Sequence, residues 1–144
     1  MIKIICVGKI KEKFYRDAIS EYMKRLTKYH KVTILEVIDS DICHERDLIL
    51  QNIKAKDYIV TLEIDGNMLD SLELSDFIDK RLSINSNITF IIGGSLGLHD
   101  DIKKISNYRL SFSKMTFPHQ LFRVILLEQI YRSFRILNNE KYHK

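Results

Sequence analysis

Hydrophobic residues in this chain collect into short blocks separated by longer mixed stretches. The runs IKIICV (2–7), VTILEVI (32–38), YIVTLEI (58–64) and ITFII (88–92) are rich in β-branched residues and read as strands. The stretch 108–112 is a weaker fifth strand. Between them the spacing changes. Phe14, Ala18, Tyr22 and Leu26 recur every fourth residue inside 11–28, with Ile19 and Met23 beside them, so this segment reads as an amphipathic helix. The polar segment 39–46 reads as a loop running into a helix over 47–54. Asp65-Gly66-Asn67 has the composition of a turn that would close the third strand. Asp70 or Ser71 caps a helix carrying Leu72, Leu74, Phe77, Ile78 and Leu82. A turn over 85–87 and a short helix over 99–106 follow, with Ile102 and Ile105 inward. After a loop over 113–117, Pro118 suits the first turn of a helix that runs to about Leu137. A polar tail, 138–144, finishes the chain.

Strands alternating with helices, with the strands as apolar runs, predict an α/β fold. Its sheet is mainly parallel and flanked by helices on both faces. At 144 residues with no linker or repeat, the expectation is a single domain over 1–144. The last helix is apolar on more than one face, through Leu121, Phe122, Val124, Ile125, Leu126 and Ile130 among others. One sheet needs a single apolar stripe. The surplus fits either a central helix within the monomer or a contact with a second subunit, and a homodimer is the reading favoured here.

Composition adds limits. No apolar run approaches the length of a membrane span. The N-terminus becomes charged too soon for a signal peptide, so a cytoplasmic protein is expected. Cys6 lies in an apolar run and reads as a core residue, and Cys43 next to His44 belongs to no metal-ligand spacing, so no metal is expected. Charge is uneven. Residues 1–40 carry nine basic and five acidic side chains, 41–80 four and ten, and 81–144 ten and four. The ends are thus positive and the middle negative, and a basic C-terminal half suits a polyanion such as RNA.

Two segments carry candidate chemistry. In Phe90-Ile91-Ile92-Gly93-Gly94-Ser95-Leu96-Gly97 a buried strand ends in glycines. Ligands of open α/β sheets sit at that end of a strand, and bare backbone there can approach them. The same glycines would also serve a plain strand-to-helix turn. No GxxxxGK[ST], no GxGxxG after the first strand and no GxSxG occurs, so P-loop, dinucleotide and nucleophile-elbow chemistries are excluded. The second segment is Phe112-Ser113-Lys114-Met115-Thr116-Phe117-Pro118-His119. Its mixture of apolar side chains and loop backbone suits a flat, uncharged group such as adenine.

FIIGGSLG, then LSFSKMTFPHQLFR, then EQIYRSFRI and a terminal YHK together resemble the small SPOUT-class methyltransferases, specifically the ribosomal RNA large subunit methyltransferase H family. The resemblance covers essentially the whole chain. It implies methylation of N3 of a pseudouridine in 23S rRNA of the ribosome with S-adenosyl-L-methionine, a deep C-terminal trefoil knot and an obligate homodimer. Carried over by residue, the cofactor contacts are Leu62, Gly93, Phe112, Ser113, Lys114, Met115, Thr116 and Phe117. Relatives often end Asn-His-Pro-Tyr-His-Arg. This tail reads Asn138-Asn139-Glu140-Lys141-Tyr142-His143-Lys144, with Lys141 in the place of proline.

Such a reaction needs a positioned acceptor and a way to remove or stabilise the imide proton. His119, Arg132 and His143 are the catalytic candidates, with Glu128 nearby. The blander alternatives are a helix cap for His119, an i,i+4 pair with Glu128 for Arg132, and a frayed tail for Tyr142 and His143. His119 and Arg132 lie too far apart on one helix to share a role in one pocket. Arg109, Lys114, Arg123, Arg132, Arg135, Lys141 and Lys144 are expected to face RNA. Within the glycine loop the expectation is that Gly93, rather than Ser95, matters. The competing functions are a non-catalytic RNA-binding protein of the same fold, a nucleotide-binding regulator, and a ribose 2′-O-methyltransferase.

Overall fold

The computed structural model describes residues 1–85 and 87–144. The expected turn at 85–87 includes Ser86, which lies outside the described residues. The elements are β1 (Ile2–Val7), α1 (Lys13–Leu26), β2 (Val32–Val37), α2 (Ile42–Gln51), β3 (Asp57–Met68), α3 (Ser71–Ile84), β4 (Asn87–Ile92), α4 (Asp100–Ile105), β5 (Tyr108–Ser111) and α5 (His119–Leu137). The five strands form one sheet in the order β2-β1-β4-β3-β5, and every pairing is parallel.

Handedness explains the layers. The connections β1–α1–β2 and β3–α3–β4 step across the sheet in one direction, while β2–α2–β3 and β4–α4–β5 step in the other. Right-handed crossovers then put α1 and α3 on one face and α2 and α4 on the opposite one. The core divides the same way. Ile2, Ile4, Cys6, Phe90 and Ile92 pack with Leu26, Leu74, Ile78 and the buried residues of α5. Ile5, Val7, Ile59 and Ile91 pack with Ile49 and Ile102 on the other side. Cys6 is a core residue, as expected, and burial pushes its thiol up to about 12.

The surplus apolar surface of α5 has a partner inside the monomer. This helix lies between α1 and α3 on the first face, and none of its residues is fully exposed. The central-helix alternative thus accounts for much of that surplus without a second subunit.

Local differences from the expected pattern have physical causes. Helix α2 begins at Ile42, inside the stretch expected to be a loop, because Asp41 caps it by accepting a hydrogen bond from His44 N at 2.9 Å. The polar residues there form its solvent face, while Glu45 and Ile49 point inward. Strand β3 runs through Asp65-Gly66-Asn67, which is therefore no turn. Leu62 and Asn67 both pair with Leu110, so the strand bulges between them. A Cβ on Gly66 would lie 2.8 Å from the Arg109 carbonyl, so glycine is needed there for close approach to β5. Pro118 is the N-cap of α5, one position earlier than expected. Asp70 caps α3 in a full capping box with Glu73.

At the N-terminal edge the three inner strands share a buried ion pair. Lys3 Nζ lies 3.0 Å from Asp57 Oδ2 and 2.6 Å from the Asn52 carbonyl oxygen. Lys54 N and Asn87 Nδ2 donate to the same carboxylate, each at 3.0 Å. Burial alone would raise the Asp57 carboxyl. The hydrogen bonds from Lys54, Lys3 and Asn87, with the Lys3 charge, outweigh it and hold the group below the ordinary aspartate range. A depressed carboxyl stabilises the fold above its unfolded value, about pH 4, and loses that contribution as pH falls through its lower folded value. Asp57→Ala, which strands Lys3 without its counter-charge, is expected to cost about 3 kcal/mol in urea unfolding at neutral pH. The acid limb of the variant's stability profile should also be shallower than that of the wild type.

Candidate functional site

The C-terminal ends of β3, β4 and β5 open into one cleft of about 420 Å³. Parallel strands direct their following loops to one edge, so three segments distant in sequence meet there. Leu62 to Asp65 of β3 form one wall and Ile92 to Leu98 a second. The third runs from Leu110 through the loop 112–117 to His119 and Phe122.

The glycine loop closes on itself. Gly94 and Gly97 form an isolated antiparallel bridge, and Gly97 N donates to the Gly94 carbonyl at 3.0 Å. A Cβ on Gly93 would lie 2.7 Å from the carbonyl carbon and oxygen of Gly97, and Gly97 itself has φ +74°. Glycine at these two positions makes the tight turn possible. Gly93 is thus required first by the loop's own closure, and that closure leaves backbone along the cleft wall.

The loop 112–117 is shaped by its own side chains. Ser111 Oγ donates to the Ser113 carbonyl at 3.0 Å, and Ser113 Oγ accepts from Met115 N at 3.0 Å. Phe122 of α5 packs against Phe112 and Phe117, with ring centroids 5.0 and 5.9 Å away. One aromatic from the helix therefore holds both ends of the loop.

Of the eight residues expected to contact a cofactor, Leu62, Gly93, Phe112, Ser113, Met115, Thr116 and Phe117 line this cleft. Lys114 is exposed and lies outside the lining. His119 stands at the mouth. A Cβ on Gly8 would lie 3.9 Å from His119 Nε2, so the ring covers the end of β1. Its ring makes no hydrogen bond among the described residues.

Arg132 and His143 are together but elsewhere. Thirteen residues of α5 separate Arg132 from His119, about 20 Å along the axis. Arg132 Nε donates to Glu128 Oε1 at 2.7 Å, the i,i+4 pair foreseen as an alternative, and its other arm lies 3.1 Å from His143 Nδ1. The tail is anchored. Tyr142 packs edge-on against Tyr131 at 5.1 Å beneath the guanidiniums of Arg132 and Arg135. Glu140 accepts from Tyr29 at 2.7 Å and pairs with Arg135 at 3.4 Å.

Arg123 corrects one expectation. It was counted with the RNA-facing cations, yet it is only 2% exposed. It donates to Glu36 Oε2 at 2.6 Å and to the Gly8 carbonyl at 3.1 Å. Its place four residues after His119 on a helix turned toward the sheet puts it inside.

Sequence reasoning missed Glu63, Asp65, Lys103 and Phe122, all of which line the cleft. Glu63 is nearly buried, 2.7 Å from Thr61 Oγ1 and 3.5 Å from Arg109 Nε. A carboxylate at the end of the apolar run YIVTLEI was a readable signal for it.

Among the described residues, no helix is long and apolar enough to cross a membrane. The family profile described as "Predicted SPOUT methyltransferase" matches residues 1–143. Full-length relatives are similar to this chain. "Ribosomal RNA large subunit methyltransferase H" of Clostridium botulinum (strain Okra / Type B1) is 53% identical over 99% of both chains. The protein of that name from Clostridium tetani is 52% identical, again over 99% of both. A "Putative ribosomal RNA large subunit methyltransferase H" of Methanococcus vannielii is 55% identical with the same coverage. Among solved structures, a probable methylase family protein from Haemophilus influenzae Rd KW20 superposes with a TM-score of 0.60 at 11% identity, over 99% of this chain and 70% of that one. That likeness concerns the fold.

The two loop positions make opposite predictions. Gly93→Ala forces a Cβ onto the Gly97 carbonyl and should cost about 1–3 kcal/mol, as overpacking does. Ser95→Ala, whose hydroxyl makes no hydrogen bond among the described residues, should leave the melting temperature unchanged. Thermal denaturation of the two variants checks both.

Proposed function

This chain belongs to the SPOUT methyltransferase family, and from that premise we propose that it methylates N3 of a pseudouridine in 23S rRNA of the large ribosomal subunit, with S-adenosylmethionine as donor. The observation that carries the reading is the convergence of seven of the eight expected cofactor residues on one cleft at the ends of β3, β4 and β5. The full-length relatives named for this activity support it. A single domain, a C-terminal knot and a homodimer belong to the same reading.

The cleft's chemistry suits the donor. Leu62, Ile92, Leu110, Phe112 and Phe117 offer apolar walls for a purine, and the loop backbone offers hydrogen-bonding groups. Glu63, which pairs with Arg109, and Asp65 share the lining with Lys103, so the cleft offers charges of both signs to a ligand that itself carries both. S-adenosylmethionine, when bound, supplies a methyl group already activated by its positive sulfur. The protein's share is therefore mainly to hold the acceptor base in line with it.

N3 of the acceptor carries a proton at neutral pH. His119 is the residue at the mouth of the cleft with an unengaged ring, and its imidazole could take that proton. Arg132 and His143, about 20 Å along α5, are assigned to holding RNA, at this subunit's surface or at the site of a partner. With Glu128 fixing the Arg132 guanidinium, the second arm stays with His143 and Tyr142.

Nucleoside mass mapping of rRNA from a strain lacking the gene should show one N3-methylpseudouridine missing from 23S rRNA, restored by the wild-type gene. An unaltered nucleoside map, or loss of a ribose 2′-O-methyl group instead, would overturn the reading. His119→Ala should lower the turnover number at least about tenfold while leaving the fold intact. Unchanged turnover would remove it as the base.

A further inference from the structure

Beyond the cleft itself, the segment from Gly8 to Glu12 lies at the same edge of the sheet. β1 pairs with β4 up to Cys6 and Ile92, so Val7 and Gly8 run beside the glycine loop. A Cβ on Gly94 would lie 2.8 Å from Val7 Cγ1, and the His119 ring covers Gly8. The β1–α1 connection is thus the side of the cleft mouth next to His119.

Charged side chains pin this connection from three elements. Arg123 of α5 donates to the Gly8 carbonyl at 3.1 Å. Glu36 of β2 accepts from Ile10 N at 3.3 Å and from Arg123 at 2.6 Å. Arg16 of α1 donates to the carbonyls of Ile10 and Lys11 at 3.4 and 2.8 Å. Arg123 is a buried cation whose Nε has no partner among the described residues, and burying such a group is unfavourable unless its contacts compensate it. A simple strand-to-helix link has no need of that arrangement.

With its backbone so held, the segment turns Lys9 and Lys11 outward. Both are exposed, and neither has a carboxylate within ion-pair distance among the described residues. Lys13, one turn on, is paired with Asp17 at 2.7 Å, and Glu12 is the exposed acidic residue between them. We propose that Gly8–Glu12 is a preorganised contact arm for the substrate, in which Lys9 and Lys11 take phosphates of the RNA strand whose base enters the cleft beside His119. This rests on the reading of the chain as an rRNA methyltransferase. It places an RNA contact in the N-terminal segment, separate from the C-terminal cations.

The test is the double variant Lys9→Ala/Lys11→Ala in the full chain, with Lys80→Ala on α3 as the control for loss of a surface charge. Affinity for a fluorescently labelled stem-loop of 23S rRNA is measured by anisotropy across a salt series, and S-adenosylmethionine binding by calorimetry. The double variant should bind the RNA about tenfold more weakly, equivalent to about 1.4 kcal/mol. Its log–log salt slope should be shallower by about 1.5. Donor affinity should be unchanged, and the control should match the wild type in both. An unchanged RNA affinity and slope in the double variant overturns the proposal, as does a wild-type chain that does not bind the stem-loop. Nucleoside mass spectrometry of the ribosomal RNA from a strain lacking the gene separates the two readings: a wild-type chain that binds the stem-loop while no methylated nucleoside is lost from that strain overturns the functional reading alone.

Discussion

The close approach of Gly93 to the Gly97 backbone sets the geometry at the working edge of the sheet. A side chain at Gly93 would collide with the Gly97 carbonyl at 2.7 Å. The closed loop folds down beside β1 and leaves an opening shared by three strand ends. The loop 112–117 completes the opening, held by Phe122 at the first turns of α5. Helix α5 in turn is fixed between α1 and α3. Cleft shape therefore depends on the same packing that builds the main core.

Most of the fold was legible in the sequence, because apolar runs and fourfold spacing report burial directly. Four of the five strands were expected within one residue of their observed ends; β3 alone runs well past its expected end at Ile64, to Met68. Misreadings arose where a local signal served a non-local purpose. Asp65-Gly66-Asn67 has turn composition, but Gly66 is there for the backbone of Arg109, more than forty residues away. The polar stretch before Asp47 was the solvent side of a helix whose inward residues, Glu45 and Ile49, include a carboxylate. A buried glutamate carries no pattern that distinguishes it from a loop residue.

The site was legible for a different reason. Composition alone left the glycine loop undecided between a ligand cradle and a turn. It became specific when joined to residues 112–119 through a family resemblance, and seven of the eight cofactor contacts expected from it, Leu62 and Gly93 included, line one cleft. Long-range pairs stayed invisible. Nothing near Arg123 in sequence announces Glu36 or Gly8, and so a fully buried cation was counted among surface charges. The tail shows the converse. A frayed tail was the bland alternative for it, yet Tyr29, Arg132 and Arg135 hold Glu140, Tyr142 and His143 in a compact cluster.

At the centre of this account is a single donor site built from three strand ends. Hydrogen exchange with and without S-adenosylmethionine tests it most directly, because each wall reports separately. The account predicts slowed exchange in three segments together, 62–65, 92–98 and 110–119, with the N-terminal edge around Asp57 unaffected. Protection confined to one of the three, or appearing around the tail instead, would contradict it.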